Sequence, residues 1–434
     1  MIDQNLTGLL MMLLLPVLLL VGTPIGLSLA ACGIFGLFLT RGWMPLEFLI
    51  GTFSYSYTAN LAFIVLPLFL FMGHMTFVTG VSERAFAAAQ KLIGNVGGGL
   101  GMATVAASAG FGLVCGSSVA SASTIGKIAI PEMLKRGYAP SMAAAVVAAG
   151  GTLGVLIPPS GVLVVYSIAT QTSLVDLFLA AFVPGLVTAI VYAALVFGMV
   201  LFKPSLGGTR QPEAPGGKVK ALLASWEILL LAMIVMGGIY LGVATPTESA
   251  AIGALVATLF VLRQKRGNRL QMVRTGLQET GAATSSIFLL IIGAGLFSMG
   301  LATTQIPVLL ANWAVEFSDN RYLVLLLILI PFFILGMFVD GISMMLLTLP
   351  IVFPVITKLG FDPIWFGIVV TKTVEIGLLT PPVGLNVFVV RNVAPEIPLA
   401  DIFRGCVPFV IVEVLLVGAL ILWPGMTTVL MQGR

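Results

Sequence analysis

Charge is scarce in this chain of 434 residues. Asp, Glu, Lys and Arg make up 9% of it, where a soluble domain carries about 25%. Hydrophobic residues make up 59%, and the mean hydropathy is +1.13. A surface of that composition calls for lipid as its main solvent. There is one histidine, His74, which argues against a proton relay built on imidazoles, and we read it as structural. The three cysteines, Cys32, Cys115 and Cys406, are far apart and lack metal-ligand spacing, so they read as small packing residues. There is no Walker A motif, no HExxH and no CxxC. Nothing therefore points to ATP hydrolysis, metal-centred hydrolysis or thiol redox chemistry; we expect no enzyme and no cofactor. The first apolar run lacks a basic leader, so no cleaved signal peptide is read.

What the chain has in quantity is long apolar runs, among them 6–21, 61–77 and 322–338. A spanning helix needs roughly 20 apolar residues, so the runs predict on the order of ten to twelve passes, counting half-crossings. In lipid the backbone must satisfy itself, so the passes are helices. They are too long and too evenly apolar for a barrel.

Two proline pairs interrupt these runs, in "GTLGVLIPPSG" (151–161) and "VEIGLLTPPVG" (374–384). They are copies. At a constant offset of 223, Pro131 matches Pro354, Gly137 matches Gly360, Gly154 matches Gly377, Pro158-Pro159 match Pro381-Pro382 and Gly161 matches Gly384. The chain thus reads as two homologous halves, 1–205 and 225–434. The Pro-, Gly- and charge-rich stretch 206–224 is the linker, placed on the cytoplasmic side. Half one predicts helices at 6–22, 24–40 and 60–79, a re-entrant hairpin at 97–134, a broken helix at 140–172 and a last helix at 184–202. Five crossings, an odd number, place half two upside down, with its hairpin at 321–358 and broken helix at 362–393. With both termini outside, sixteen basic residues fall on or nearer the cytoplasmic side and four outside, as the positive-inside rule requires. Trp43, Trp226, Trp365 and Trp423, near helix ends, read as interfacial anchors.

Proline removes an N–H and clashes with the carbonyl four residues back. The pairs should orphan the carbonyls of Gly154 and Val155, and of Gly377 and Leu378. An unpaired carbonyl at membrane depth costs several kcal/mol, and a cation is one partner for it. The helix that restarts after each break offers free N–H groups to a carboxylate. Interrupted segments in matching places of two halves point to a secondary transporter's central site. The hairpin tips are the second signal. "CGSSVASASTIG" (115–126) crowds five hydroxyls, and at the matching place "FVDGISM" (338–344) puts Asp340 opposite Ser117 and Gly341 opposite Ser118. Hydroxyls, a carboxylate and bare carbonyls form a hard oxygen environment that suits an alkali cation. Glu248, after a proline at a helix start, reads as a cap. Lys372 and Glu375 share a helix face and can neutralise each other. Arg391 and Glu413 could pair across helices or serve the pathway.

The motifs "GSSVASASTIGKIAIPEMLKRGY", "AAGGTLGVLIPPS", "ATPTESAAIGA" and "GLLTPPVGLNVFVV" together resemble the large membrane subunit of tripartite ATP-independent periplasmic (TRAP) transporters, the DctM-like family of the ion transporter superfamily. The resemblance covers almost the whole chain. It implies an all-α polytopic membrane protein of two inverted repeats, with a fixed scaffold and an elevator-type transport domain that carries the hairpins and discontinuous helices. It implies import of an organic acid with sodium ions across the bacterial inner membrane, with both termini periplasmic. A periplasmic solute-binding protein would deliver the substrate, and a small four-helix membrane subunit, expected here as a separate polypeptide, would brace the scaffold. No nucleic-acid partner is expected. By matching position, the first sodium site would involve Ser117, Ser118, Gly151, Thr152, Gly154 and Pro158. The second would involve Asp340, Gly341, Thr380, Pro381, Val383 and Gly384. Substrate would lie near Ser118, Ser121, Ser160 and Asn386; no metal beyond sodium is implied. A stand-alone organic-anion carrier, coupled to sodium or protons, and a channel remain the alternatives.

Overall fold

Proline pairs, glycine turns and polar caps punctuate an otherwise helical chain. The computed structural model describes residues 3–59, 61–208, 217, 223, 225–264 and 268–431. Most of the expected linker, 206–224, and both extreme termini lie outside the described residues. Among those described there is no strand; one isolated bridge pairs Tyr138 with Gly207.

The chain opens with α1 (Gln4–Leu20), α2 (Ile25–Arg41) and α3 (Trp43–Thr58). Helices α4 (Val65–Val78) and α5 (Val81–Ile93) meet at a 69° bend. Gly80 makes the corner at φ 69°, a left-handed backbone that a side chain would strain. Next come α6 (Gly99–Cys115) and α7 (Ser118–Lys135), then α8 (Pro140–Leu156) and α9 (Gly161–Thr170) on either side of the first proline pair. Helix α10 (Leu174–Phe202) closes this stretch. It starts ten residues before the expected 184, because membrane helices absorb an internal proline such as Pro184. Its outer face shows Leu186, Ile190, Phe197 and Leu201, an apolar stripe suited to lipid.

After the linker follow α11 (Trp226–Tyr240), with a π-turn over Met233–Gly237, and α12 (Pro246–Arg263). A reciprocal capping box of Thr245 and Glu248 opens α12, so Glu248 serves as a cap. The 34-residue α13 (Arg269–Ala302) leads to α14 (Ile306–Phe317). Then come α15 (Arg321–Gly336), α16 (Gly341–Lys358), α17 (Pro363–Leu379), α18 (Leu385–Val393), α19 (Leu399–Leu422) and the short α20 (Gly425–Thr428). Among the described residues six helices are long and apolar enough to cross a membrane, counting α8 with α9 as one, or seven if the bent α4–α5 pair is one span. Six shorter apolar helices accompany them. The short α3, α5 and α14 carry no run long enough to announce themselves as passes.

Small residues let helices approach where lipid gives no hydrophobic drive. Gly26 and Gly33 of α2 face Gly293 and Gly300 of α13, seven apart on each helix. A Cβ on Gly33 would sit 2.3 Å from the Leu296 backbone, and one on Gly293 would sit 2.0 Å from the Gly26 carbonyl oxygen. This crossing ties an early helix to a late one. Helices α8 and α17 are buried throughout, over 142–156 and 365–379. Protein therefore surrounds each helix that leads into a proline break. Trp365 is accordingly not an interfacial anchor. It is 4% exposed, stacks on Phe361 at 5.3 Å and donates its indole N–H to the Leu420 carbonyl at 3.0 Å. Trp43, Trp226 and Trp423 do lie on the surface.

Candidate functional site

Each hairpin has a tip, and each tip is strapped to a break. In the first, α6 ends at Gly116, whose φ of 63° turns the chain. Ser117 caps α7, its hydroxyl accepting from Ala120 N–H at 3.4 Å. Across from it, α8 stops at Ile157, pushed to extended backbone by the following proline. Pro158 and Pro159, joined by a cis peptide bond, have no N–H to return to Gly154 and Val155. Ser160 then caps α9 by accepting from Leu163 N–H at 3.4 Å. The Gly161 N–H donates to the Gly116 carbonyl at 3.3 Å, and a Cβ on Gly116 would lie 2.4 Å from the Pro159 carbonyl oxygen.

The second pair repeats the strap. Gly384, the copy of Gly161, donates its N–H to the Met337 carbonyl at 3.0 Å. Asp340 caps α16, one carboxylate oxygen accepting from Ile342 and Ser343 N–H at 3.0 and 3.1 Å, the other from the Ser343 hydroxyl at 2.5 Å. Pro381-Pro382 is also cis. The Gly377 carbonyl is not orphaned as expected: Thr380 N–H reaches it at 3.1 Å, while the Thr380 hydroxyl donates to Ile376 O at 2.6 Å. A tightened last turn satisfies both carbonyls from one residue. The two copies differ in surroundings. Pro158, Pro159 and Ser160 are buried, whereas Pro381, Pro382 and Asp340 are exposed.

Of the first group of site residues, the structure brings together Ser117, Ser118, Gly151 and Gly154. A Cβ on Gly154 would lie 2.9 Å from both the Ser117 carbonyl oxygen and the Ser121 hydroxyl, and one on Gly151 would lie 3.1 Å from the Ser118 carbonyl oxygen. The Ser121 hydroxyl is buried with no hydrogen-bond partner among the described residues. Thr152 is buried and donates to the Ala149 carbonyl at 2.7 Å. In the second group, Gly341 packs beside Val162 and Val374, Gly384 is buried, and Val383 is partly buried. Asn386 reaches across the halves, donating its amide to the Ala148 carbonyl at 3.1 Å; its side-chain oxygen is buried and has no partner among the described residues. Ser118, Ser121, Ser160 and Asn386 are thus packed around α8.

Two groupings go beyond the sequence, the first by adding a third member to the expected Lys372–Glu375 pair. Lys372 of α17 lies among two carboxylates, Glu375 at 2.6 Å and Glu413 of α19, with the Thr188 hydroxyl of α10 at 3.1 Å. All three charged side chains are at most 1% exposed. Glu413 therefore pairs with Lys372 and not with Arg391, whose guanidinium donates to the Pro395 and Ile397 carbonyls. The second grouping lines a cavity of about 310 Å³ between α4, α6, α7 and α13. His74 and Glu279 meet there at 2.9 Å, beside Ser117, Ser123, Thr124 and Lys127. The polar run "QETGAATSS" (278–286), set in an apolar helix, is the signal that could have found its far wall.

Comparison with known proteins places this arrangement. The family description "Tripartite ATP-independent periplasmic transporter, DctM component" matches residues 11–426. The C4-dicarboxylate TRAP transporter large permease protein DctM of Pseudomonas aeruginosa is 37% identical over 354 residues, covering 80% of this chain and 81% of that protein. The sialic acid TRAP transporter large permease protein SiaM of Vibrio cholerae is 32% identical over 416 residues, 95% and 96% of the two chains. The YdaH transporter of Alcanivorax borkumensis, a crystal structure, superposes with a TM-score of 0.69 at 15% identity over 93% of this chain and 98% of that one. That likeness is one of fold. Family match, identity and the strapped breaks agree: this is a multi-pass membrane transporter and not an enzyme, and the chain belongs to the DctM component family of tripartite ATP-independent periplasmic transporters.

Proposed function

We propose that this chain is the large permease subunit of a sodium-coupled importer of a small organic acid, with a C4-dicarboxylate as first choice and sialic acid or a related carboxylate next. A periplasmic solute-binding protein hands over the substrate, and a small membrane subunit braces the scaffold. The chain sits in the inner membrane with both termini in the periplasm. Its first half is inverted against its second, and α6–α9 with α15–α18 travel as an elevator against a frame that includes α2 and α13. One sodium ion binds at the first strap, on the Ser117 and Ser118 side and the Gly151–Pro158 side. A second binds between Asp340-Gly341 and Thr380–Gly384.

The observation that carries this reading is the buried first strap. The unpartnered Ser121 hydroxyl and the proline-freed Gly154 carbonyl crowd together with the Ser117 carbonyl, which among the described residues accepts only from Ser121 N–H at 3.0 Å and keeps a lone pair for a cation. The unequal exposure of the two breaks supports a carrier held with one side open. The choice of substrate rests on the name of the Pseudomonas aeruginosa relative. The test is uptake of labelled succinate into proteoliposomes holding this chain and its small subunit, with the binding protein outside. Uptake should require an inward sodium gradient and the binding protein. Uptake indifferent to sodium, or running without the binding protein, overturns the reading.

A further inference from the structure

Helix α7 has two polar faces. Ser118, Ser121 and Ala122 turn toward α8, where Gly151 and Gly154 meet them. Ser117, Ala120, Ser123, Thr124 and Lys127 turn the other way and line the 310 Å³ cavity. At 3.6 residues per turn the two sets are centred roughly 150° apart. The far walls are scaffold-side: His74 and Phe77 of α4, Glu279 and Thr280 of α13.

We infer that this second face is an anion site: the place where a substrate carboxylate rests on α7 while the cation occupies the opposite face. The inference rests on the transport reading above and names residues that reading does not use. Three observations carry it. The Lys127 ammonium has no carboxylate partner among the described residues and only faces the Phe77 ring, at 5.9 Å. The one acid among the cavity's lining residues, Glu279, meets His74 Nδ1 at 2.9 Å and forms no ion pair with Lys127. A donor without a partner also lines the cavity wall. The Thr280 hydroxyl, in a residue 9% exposed, is buried and has no hydrogen-bond partner among the described residues. Phe77, Phe111 and Leu70 give apolar walls for a short carbon chain, and the volume is at the small end of ligand pockets. A short-chain carboxylate fits this set. The carboxylate takes Lys127, Ser123 and Thr124, and a second polar end meets Thr280.

The test uses the reconstituted complex and succinate. Lys127→Gln should raise KM roughly 10–100-fold, as loss of a charged hydrogen bond does, with the maximal rate retained; Lys127→Arg should restore most of the affinity. Thr280→Val should raise KM by roughly 3–10-fold. Sodium activation should be unchanged in all three, because that ion sits on the other face. A KM within twofold of wild type in both Lys127→Gln and Thr280→Val sinks the anion site while leaving the transport reading intact. If Lys127→Gln fails to fold, Ser123→Ala with Thr280→Val decides in its place. Should wild type take up no succinate, the transport reading is what has failed. The site is then judged by thermal unfolding of the purified complex: sodium citrate or sodium succinate must stabilise wild type more than sodium chloride does, and Lys127→Gln must abolish the difference. No difference in wild type ends the proposal.

Discussion

Gly154→Ala isolates the first strap. The new Cβ would stand 2.9 Å from the Ser117 carbonyl oxygen and 2.9 Å from the Ser121 hydroxyl. Real Cβ···O contacts are longer by about half an ångström, so the tip of the α6–α7 hairpin must retreat or α8 must shift. Such overpacking costs about 1–3 kcal/mol. The helix itself gains, since alanine is the better helix former by up to about 1 kcal/mol. Secondary structure should therefore survive while the hairpin moves off the break. If the Ser117 and Ser121 oxygens bind sodium together with the freed carbonyls of α8, the whole penalty falls on the ion. At about 1.4 kcal/mol per tenfold, that is roughly a 5–150-fold rise in the sodium concentration for half-maximal uptake. The assay is succinate uptake against external sodium in proteoliposomes, with membrane insertion checked by size-exclusion chromatography. Gly110→Ala is the control. It makes the same change in α6, where an added Cβ meets nothing within 4 Å, and should leave the sodium curve in place. An unchanged curve in well-folded Gly154→Ala would refute the first sodium site.

Three further outcomes are expected. Asp340→Asn keeps an N-cap of equal quality but removes the carboxylate, so the protein should fold normally and sodium activation should weaken; activation equal to wild type would reduce Asp340 to a cap for α16. Lys372→Met strands Glu375 and Glu413 at 0% exposure and should destabilise the chain by about 3–5 kcal/mol, seen as a lower melting temperature in detergent; a melting temperature within a degree of wild type contradicts the network. Gly33→Leu drives a side chain into the Leu296 backbone at the α2–α13 crossing and should remove the folded peak from size-exclusion chromatography, while Gly51→Ala, with nothing within 4 Å of its Cβ, should not.

What was legible in the sequence was local chemistry. A proline pair breaks a helix wherever it stands, so the ends of α8 and α17 could be read from Pro158 and Pro381 alone. Glycine beside hydroxyls, or beside an acid, marks a turn between apolar arms, and the tips fall at Gly116 and at 337–340. Thr245 and Glu248, three apart, announce their capping box. The unread parts depend on long-range placement. Glu413 is 38 residues from Glu375 and 41 from Lys372, and no periodicity links them; the buried cluster exists only because α17 and α19 pack side by side. Trp365 looks like a belt residue by its position near a helix start, and only the closure of α19 over it makes it core. Likewise the cavity under Lys127 needs α4 and α13 to supply its far walls.

The two tips are more alike in structure than their letters suggest. Ser117 and Asp340, at matching positions, both cap the returning arm of a hairpin, and the glycine 44 residues beyond each, Gly161 or Gly384, donates its N–H to a carbonyl of the tip. Their difference is therefore not one of architecture. It is one charge, placed at the exposed tip and absent from the partly buried one. A bare carboxylate at the partly buried Ser117 position, set against a buried break, would bear a larger desolvation cost whenever its cation left, whereas at the exposed Asp340 tip water can cover it. A serine at the first tip lets the strap stay closed and empty at modest cost. This ordering predicts that Ser117→Asp, which keeps the cap, destabilises the sodium-free protein far more than Asp340→Ser does. Thermal unfolding of both variants with and without sodium measures it, and equal losses in sodium-free buffer would contradict the ordering of the first tip as the less hydrated one.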